Sequence, residues 1–263
     1  MSEVSDADIQ RGAEMLRVAA EKSEPCPPLS SFLPADDLDV GYAVQDANTA
    51  YWLEQGRRLV GRKIGLTAKA VQAQLGVDQP DFGMLYADMA YADGAEIPLS
   101  RLLQPKIEGE IAFVLGDDLD SDNLTITDVM SAIDYAVAAI EIVDSRVADW
   151  KITIMNTIAD NASSGLYVLG SEPKALGEFD PRLCGMVIEH AGDPVATGAG
   201  AACLGNPLNA TLWLAQTMVK AGRPLMAGDT VLSGALGPMV PVNGPGVYEL
   251  RINGLGSVRA NFV

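Results

Sequence analysis

The stretch Gln104-Pro-Lys-Ile-Glu-Gly-Glu-Ile-Ala-Phe-Val-Leu115 decides the fold, because it predicts a strand that carries two carboxylates, Glu108 and Glu110. Successive side chains of a strand point to opposite faces, so residues two apart share a face. The two glutamates therefore point one way, while Ile107 and Ile111 point the other. Two like charges side by side on an apolar strand are costly unless a positive charge lies between them. A divalent cation such as Mg2+ or Mn2+, which prefers oxygen ligands, can supply that charge. A lone Glu-x-Glu more often marks an edge strand with one solvated face, and it is the surrounding motifs that favour the cation here.

The rest of the chain predicts an α+β protein in which helices come first and strands follow. Apolar residues recur at helical spacing over Asp6–Lys22 and Asp37–Gln55, and the proline-rich Glu24–Pro28 between them blocks helix continuation. Short apolar runs punctuated by Gly, Pro and Asp then predict a mostly β body, a barrel or a folded sheet. The further elements expected are strands at Leu59–Leu66, Ile111–Leu115, Tyr167–Leu169, Met186–Ile188, Thr230–Leu232 and Val247–Ile252, and helices at Thr127–Ala138 and Pro207–Ala221. We expect an N-terminal helical region over 1–57 and a catalytic β-rich domain over 58–263.

Composition and charge exclude several classes of function. The 263 residues carry a formal net charge of -17, which argues against general binding to nucleic acid or to an anionic membrane surface. Cys26, Cys184 and Cys203 are too widely spaced to suggest a disulfide framework or a zinc cluster. The single His190 precedes a predicted turn, which excludes a histidine triad or a histidine-rich metal site. The acidic N-terminus is no signal peptide, and no apolar run reaches the roughly 18 residues of a membrane span, so we expect a cytoplasmic protein.

Two short motifs place a lysine and an aspartate where they can serve chemistry. In Gly61-Arg-Lys-Ile-Gly-Leu-Thr67, Lys63 lies between apolar neighbours on a strand that runs into a glycine-containing loop. Such a lysine can be held by a carboxylate, can bind an anionic substrate, or can simply point into water. In Gln79-Pro-Asp-Phe-Gly83, proline and glycine bracket Asp81 and predict a turn. The turn presents Asp81 on a loop, either as a functional carboxylate or as an ordinary turn residue.

A third carboxylate, Glu141, lies in an apolar run, where an unpaired charge is expensive. Together with Glu108 and Glu110 it gives three oxygen-donor side chains from two separate strands. Three carboxylates and a few waters suit an octahedral Mg2+ that keeps positions open for a chelating substrate. The alternative interpretation pairs Glu141 with Arg146 or Lys106.

Two loops offer further polar groups next to predicted strands. Ile158-Ala-Asp-Asn-Ala-Ser-Ser-Gly165 gathers small residues that let a ligand approach the backbone and that supply hydroxyl and amide donors. In Gly228–Pro238 a predicted strand breaks into a glycine-rich turn, whose backbone N–H groups can bind a carboxylate. It matches neither a P-loop nor the dinucleotide fingerprint, so nucleotide binding is not supported.

Taken in order, these motifs resemble one family. The set consists of Gly61–Thr67, Gln79–Gly83, Gln104–Ala112, Glu141–Arg146, Ala159–Ser164 and Thr230–Pro238. From about Ala43 to the C-terminus the chain resembles the 2-oxopent-4-enoate hydratases, or 2-hydroxypenta-2,4-dienoate hydratases, of bacterial meta-cleavage pathways. These enzymes belong to the fumarylacetoacetate-hydrolase-like superfamily.

The resemblance implies a fold and a metal. The expected fold is a mixed β-roll or barrel body of the fumarylacetoacetate-hydrolase C-terminal type with N-terminal helices. The expected cation is Mg2+ or Mn2+, held by Glu108, Glu110 and Glu141, the same three residues that the strand pattern selects. The resemblance also implies that Lys63 and Asp81 act beside the metal.

The resemblance extends to the substrate and to the assembly. Ser163 is expected to help hold the substrate carboxylate, and Leu85 and Lys151 are assigned as further substrate contacts. A homo-oligomer is expected, either a pentamer or a decamer, and association with a pathway decarboxylase or aldolase is considered.

The implied reaction is hydration of 2-hydroxypenta-2,4-dienoate to 4-hydroxy-2-oxopentanoate. The dienol gains a proton at C5 to give a conjugated 2-oxo-3-enoate, and water then adds at C4. We assign Lys63 to the substrate carboxylate or oxyanion and Asp81 to proton transfer with water. The alternatives are a 2-oxo-3-hexenedioate decarboxylase, whose second substrate carboxylate Lys151 or Arg146 could bind, and a non-catalytic partner subunit of such a decarboxylase. A carbon–carbon bond hydrolase fits less well, because His190 lies far from any suitable segment.

Overall fold

Five α-helices lie in the part of the chain that the computed structural model describes, residues 4–69, 72–73 and 77–263. They are α1 (Asp6–Lys22), α2 (Leu38–Glu54), α3 (Ile126–Ala132), α4 (Ile154–Ala159) and α5 (Pro207–Lys220). Local signals set where the first two begin, because Ser5 caps α1 by accepting from Asp8 N and Asp37 caps α2 by accepting from Val40 N. The two predicted N-terminal helices and the predicted C-terminal helix are found, each within one residue of its expected ends.

The strands form two sheets. They are β1 (Leu59–Gly65), β2 (Asp81–Tyr86), β3 (Ala90–Ala92), β4 (Glu96–Ile97), β5 (Pro105–Leu115), β6 (Ile133–Asp144), β7 (Ser164–Leu169), β8 (Gly185–His190), β9 (Asp193–Ala199), β10 (Thr230–Leu232), β11 (Val240–Pro241), β12 (Gly246–Ile252) and β13 (Gly256–Phe262). The larger sheet has eight strands in the order β2-β1-β10-β5-β6-β7-β3, with β11 paired to β5, and the smaller has five in the order β4-β13-β12-β8-β9. Both sheets mix parallel and antiparallel pairs. The predicted α+β class with N-terminal helices and a mixed β body is confirmed.

The centre of the larger sheet is the antiparallel pair β5–β6, which is continuous over nearly the whole length of both strands. The predicted helix Thr127–Ala138 is wrong beyond Ala132, where the chain leaves α3 and enters β6 at Ile133. Strand β6 lies between β5 and β7 and is buried on both faces along most of its length. Such a central strand is a nearly continuous apolar run, and hydrophobic periodicity does not distinguish it from a buried helix.

Two hydrophobic clusters hold these elements together. The larger one includes Ile107 and Phe113 of β5, both fully buried on the face opposite to the glutamates. The smaller one lies under the N-terminal helices, where Leu16 of α1 and Val44 of α2 pack with Met155 of α4. The N-terminal helices therefore pack on α4, and Gln45 of α2 also donates directly to Phe82 O of β2 at 2.9 Å. No helix in the described ranges combines the length and the apolar character needed to cross a membrane.

The segment between α4 and β7 connects distant strands of the larger sheet. The Asn161 side chain accepts from Met84 N at 2.6 Å and donates to Met84 O at 2.9 Å, so it takes the place of a strand partner along β2. Asn161, Ala162 and Ser163 all have positive φ, at 54°, 52° and 55°, a conformation that non-glycine residues rarely adopt. This strained link brings β2 next to the start of β7.

Candidate metal centre

Three carboxylates converge on one face of the larger sheet. The β5–β6 ladder sets Glu108 directly opposite Glu141, and alternation along β5 puts Glu110 on the same face as Glu108. Each residue offers one oxygen, and these oxygens all lie within 4.8 Å of one another. Glu110 and Glu141 are fully buried, and Glu108 is half-buried. The structure thus brings together the three residues predicted as metal ligands.

The hydrogen bonds of these carboxylates leave oxygens available for a cation. Gly234 N donates to Glu110 Oε2 at 2.8 Å. In the described part of the chain, Glu110 Oε1 and both oxygens of Glu141 have no hydrogen-bond partner. A buried polar oxygen without a partner is expensive, and an oxygen-only donor set is the kind that Mg2+ and Mn2+ prefer. The residues present therefore fit a hard divalent cation.

The glycine-rich turn after β10 does bind a carboxylate, and that carboxylate is the protein's own Glu110. Gly234 has a φ of 105°, which favours glycine, and a Cβ at this position would lie 2.5 Å from Thr67 Cγ2. Only a glycine lets the backbone N–H reach Glu110 at this point. The turn thus orients one of the candidate metal ligands.

Lys63 supplies the positive charge beside the cluster. Its Nζ lies 2.9 Å from Glu141 Oε1, and both side chains are buried. The two side chains form a buried ion pair. Burial lowers the pKa of Lys63, but the charges of Glu141, Asp81 and Glu108 outweigh this effect and hold that pKa above its ordinary value. Lys63 is therefore a charged ammonium in a carboxylate-rich site.

The two partners considered for Glu141 in the sequence are engaged elsewhere. Arg146 donates through its guanidinium to Asp160, and Lys106 Nζ lies 4.0 Å above the ring centre of Trp150. The alternative interpretation of Glu141 is therefore wrong, because the cation beside it comes from β1.

Asp81 lies on a strand and not, as predicted, on a loop. It is the first residue of β2, it pairs with Gly65 in the β1–β2 ladder, and it is 1% exposed. Neither of its carboxylate oxygens has a hydrogen-bond partner among the described residues. Burial raises the pKa of Asp81 to about 6, and the charge of Lys63 limits the rise. Asp81 is thus a buried carboxyl group that can exchange a proton near neutral pH.

Gly65 lies beside the polar ends of both the Asp81 and the Lys63 side chains. A Cβ at Gly65 would overlap Asp81 Oδ1 and would lie 3.6 Å from Lys63 Nζ. The missing side chain leaves the space in which these two groups approach each other. Sequence reasoning missed this role, although a glycine inside a strand commonly marks a close approach.

The pKa values of two glutamates reflect the crowding of negative charge. Burial raises the pKa of Glu108 to about 7, and the charge of Glu141 adds to the rise. Burial, followed by the charges of Glu141 and Glu108, raises the pKa of Glu110 well above its ordinary value. Lys63 alone does not balance these carboxylates, whereas a divalent cation would.

The remaining predicted site residues occupy different surroundings. Leu85 is fully buried and shares a strand face with Asp81, four residues earlier on β2. Ser163 is buried in the strained link before β7, and its Oγ has no hydrogen-bond partner among the described residues. Lys151 is 70% exposed and pairs with Asp149 at 2.8 Å. Neither the exposure of Lys151 nor its pairing with Asp149 places it beside the three clustered glutamates.

Comparison with known proteins gives relatives of nearly full length. The fumarylacetoacetate (FAA) hydrolase C-terminal family matches residues 58–263. The chain is 60% identical over 265 residues to the TodF product hydratase of Pseudomonas putida strain F1, covering 100% of this chain and 99% of that protein. It is 54% identical over 253 residues to a 2-keto-4-pentenoate hydratase of Paraburkholderia xenovorans strain LB400, covering 96% of this chain and 94% of that protein.

A solved structure with the same architecture covers almost the whole chain. The 4-oxalocrotonate decarboxylase from Pseudomonas putida G7, in complex with magnesium and adipate, matches with a TM-score of 0.94 at 33% identity and covers 99% of both chains. The similarity includes the N-terminal helices as well as the β body, because it extends over nearly every residue.

Proposed function

The chain belongs to the fumarylacetoacetate hydrolase family, and we propose that it is a hydro-lyase that adds water to 2-hydroxypenta-2,4-dienoate, the enol form of 2-keto-4-pentenoate. The product is 4-hydroxy-2-oxopentanoate, an intermediate of aromatic meta-cleavage catabolism. The observation that carries this proposal is the buried cluster of Glu108, Glu110 and Glu141 beside Lys63 and Asp81. Hydratases that are 60% and 54% identical over nearly the whole chain support the same reaction.

Glu108, Glu110 and Glu141 would hold a divalent cation, Mg2+ or Mn2+, each through one of the carboxylate oxygens that lie within 4.8 Å of one another. When bound, the cation supplies Lewis-acid stabilisation of negative charge on the oxygens of the 2-oxo acid. The related decarboxylase structure is a complex with magnesium, which supports a divalent cation at this centre.

Lys63 and Asp81 divide the remaining chemistry. The Lys63 ammonium binds the carboxylate or the developing oxyanion of the substrate, and burial strengthens this attraction because water does not screen it. Asp81 transfers protons, since a carboxyl group with a pKa of about 6 is present in both protonation states near neutral pH. Protonation of C5 and loss of the enol proton give the conjugated 2-oxo-3-enoate. Asp81 then takes a proton from the water that adds at C4 and returns that proton to C3, which completes 4-hydroxy-2-oxopentanoate.

The substrate contacts are assigned to Ser163 and Leu85, with Lys151 as a more distant candidate. The Ser163 hydroxyl has no hydrogen-bond partner in the described part of the chain, so it can donate to the substrate carboxylate. Leu85 offers an apolar wall on the strand that carries Asp81. Lys151 would have to leave Asp149 to reach a substrate.

Assembly and location form a further part of the proposal. We expect a homo-oligomer, a pentamer or a decamer, that acts in the cytoplasm and associates with a pathway decarboxylase or aldolase. Light scattering on the eluate of a size-exclusion column tests the oligomer, and co-elution with the purified pathway enzyme tests the association.

The second candidate is decarboxylation of 2-oxo-3-hexenedioate, which the similarity to 4-oxalocrotonate decarboxylase favours. That substrate has a second carboxylate and calls for an additional cation. Arg146 donates to Asp160 and to backbone carbonyls, and Lys151 pairs with Asp149, so both cations considered for this role are already engaged. These contacts support the hydratase over the decarboxylase.

The deciding experiment follows the ultraviolet absorbance of freshly generated 2-hydroxypenta-2,4-dienoate with purified protein, first with Mg2+ and then with EDTA. Rapid cation-dependent loss with 4-hydroxy-2-oxopentanoate as product is expected. If the absorbance does not fall with either Mg2+ or Mn2+, the hydratase assignment is excluded. The second candidate is then tested with 2-oxo-3-hexenedioate and carbon dioxide release.

A further inference from the structure

A second cavity lies outside the metal centre, between the N-terminal helices and the larger sheet. Its volume is about 180 Å³, and its walls come from α1, α2, the end of β2 and the start of β7. Among the described residues that line it, none is a carboxylate of the metal centre, and neither Lys63 nor Asp81 is present. The cavity is therefore separate from the site of the proposed hydration.

Positive charge is concentrated in this cavity. Its wall contains four of the 18 lysines and arginines in a chain with a formal net charge of -17. The four are Arg17, Arg57, Arg101 and Arg146. Among the described residues of the wall there are two carboxylates, Asp144 and Asp160. A surplus of cations in a concave site of an acidic protein attracts anions.

Two of these arginines have only neutral partners. Arg17 donates to Asn48 Oδ1 at 2.6 Å, and Arg101 donates to the Tyr91 hydroxyl at 2.7 Å. Within the described ranges no carboxylate lies within 4.0 Å of either guanidinium, in contrast to Arg57 and Arg146, which form ion pairs. The guanidinium fork of arginine matches a carboxylate in geometry and charge.

The rest of the wall suits a short hydrocarbon chain with one further polar group. Trp52, Leu103 and Leu166 offer apolar surface. Gln45 and Ser164 are buried wall residues, and each has a side-chain oxygen without a hydrogen-bond partner among the described residues. An apolar pocket with a few convergent polar groups is typical of small-molecule sites.

We propose that this cavity is a second binding site, for a small carboxylic acid with a short hydrocarbon chain. Arg17 and Arg101 bind the carboxylate, and the apolar wall around Trp52 takes the chain. The segment that carries Ser163 forms part of the wall through Asn161 and Ser164. The inference rests on the cavity alone and does not depend on the proposed hydration.

The test uses butanoate as the probe, because it carries one carboxylate and a short chain but no second group that could chelate a cation. Isothermal titration calorimetry measures its binding to EDTA-treated full-length protein. The variants Arg101→Gln and Arg17→Gln each remove one unpaired cation. The matched control is Arg182→Gln, because Arg182 is exposed and donates to a backbone carbonyl, Gly205 O at 3.3 Å, as Arg101 donates to Asp88 O at 3.2 Å, but lies outside the cavity. Butanamide and inorganic phosphate are the comparison ligands.

We expect saturable binding of butanoate that weakens about tenfold or more in each cavity variant, because each loses a charge-assisted hydrogen bond. Binding by Arg182→Gln stays as in the wild type, and butanamide binds more weakly than butanoate. If butanoate does not bind, or if it binds Arg101→Gln and the wild type with equal affinity, the proposed binding site is wrong. Phosphate binding as tightly as butanoate overturns its assignment to carboxylic acids. Arg101 is exposed, so its variant gives an answer even if Arg17→Gln does not fold.

Discussion

Lys63 Nζ lies 2.9 Å from Glu141 Oε1, with 3% of the lysine side chain and none of the glutamate side chain exposed. A buried ion pair is stabilising only when its geometry is good and its other polar atoms are satisfied. Here the Glu141 oxygens have no hydrogen-bond partner in the described residues, and further carboxylates lie close by. The pair therefore fits a site that binds a cation, and it is not an arrangement that stabilises the cation-free protein.

The first prediction concerns Lys63→Met. Removing one partner of a buried pair leaves an uncompensated charge and costs about 3–5 kcal/mol. We expect a lower melting temperature in EDTA, partial recovery with Mg2+, and loss of hydratase activity in both conditions. Differential scanning calorimetry with and without Mg2+ measures the recovery.

The control for Lys63 is Lys151→Met, because Lys151 is a lysine with 70% of its side chain exposed. A surface substitution of this kind changes the free energy of unfolding by about 0.5 kcal/mol or less. Equal melting temperatures for the Lys63 variant and the wild type in EDTA would contradict the role of the buried pair.

Replacing Asp81 with Asn tests proton transfer. The amide keeps the size of the side chain but does not exchange a proton, so we expect turnover to fall by about 10²–10⁴-fold. The affinity for Mg2+ should change much less, because Asp81 is not among the three clustered carboxylates. Steady-state kinetics at saturating Mg2+ separates the two effects. Asp193→Asn, at the exposed start of β9, is the matched control, and near-normal turnover of Asp81→Asn would exclude the assigned role.

Gly65→Ala tests the close approach inside β1. The added Cβ would overlap Asp81 Oδ1, so either the carboxylate or the strand must move. Displacing a reacting group by about 1 Å can cost on the order of 10²-fold in rate. We expect a large loss of activity that exceeds the loss of stability in a thermal melt. Gly177→Ala is the control, because its Cβ would meet nothing within 4 Å, and an active Gly65→Ala enzyme would show that the approach is not needed.

The carboxylates of the site could be predicted because they follow from strand alternation. Glu108 and Glu110 share a face of β5 regardless of which strands pair with it, because alternation is a local property of a strand. Glu141 is predicted as a site residue because a charge in an apolar run requires a partner. The identity of that partner could not be predicted, since Lys63 reaches Glu141 only through the strand order β1-β10-β5-β6. That order includes a parallel β1–β10 pair between strands far apart in sequence, which no local pattern specifies.

The errors of prediction have the same physical origin. The flanking Pro and Gly predict a loop for Asp81, but pairing with β1 extends β2 to Asp81 itself. The alanine-rich start of β6 predicts a helix, but its place between two strands makes it a strand. By contrast, α1 and α2 carry their own caps and periodicity, and their ends were predicted within one residue.

The last prediction concerns Asn161, whose side chain joins the strained link to β2. Asn161→Ala removes both hydrogen bonds to Met84 and leaves an alanine at positive φ, which asparagine tolerates better. Two lost hydrogen bonds of about 1 kcal/mol each, together with the backbone penalty, predict a loss of about 2–3 kcal/mol in the free energy of unfolding. Activity should fall as well, because the link carries Ser163. Urea denaturation and the absorbance assay measure the two effects.

Two further variants distinguish the loss of the hydrogen bonds to Met84 from an unspecific loss of stability caused by substituting an asparagine. Asn161→Asp keeps the acceptor for Met84 N but loses the donor to Met84 O, so its stability should fall between wild type and Asn161→Ala. Asn209→Ala removes an exposed asparagine that makes one long bond, Asn209 Nδ2 to Leu204 O at 3.2 Å, and should change stability by about 0.5 kcal/mol or less. If Asn161→Ala were as stable and active as Asn209→Ala, the link would not position the site. A loss of stability and activity confined to the Asn161 variants would instead show that this one side chain holds β2, and Asp81 with it, in position next to the start of β7.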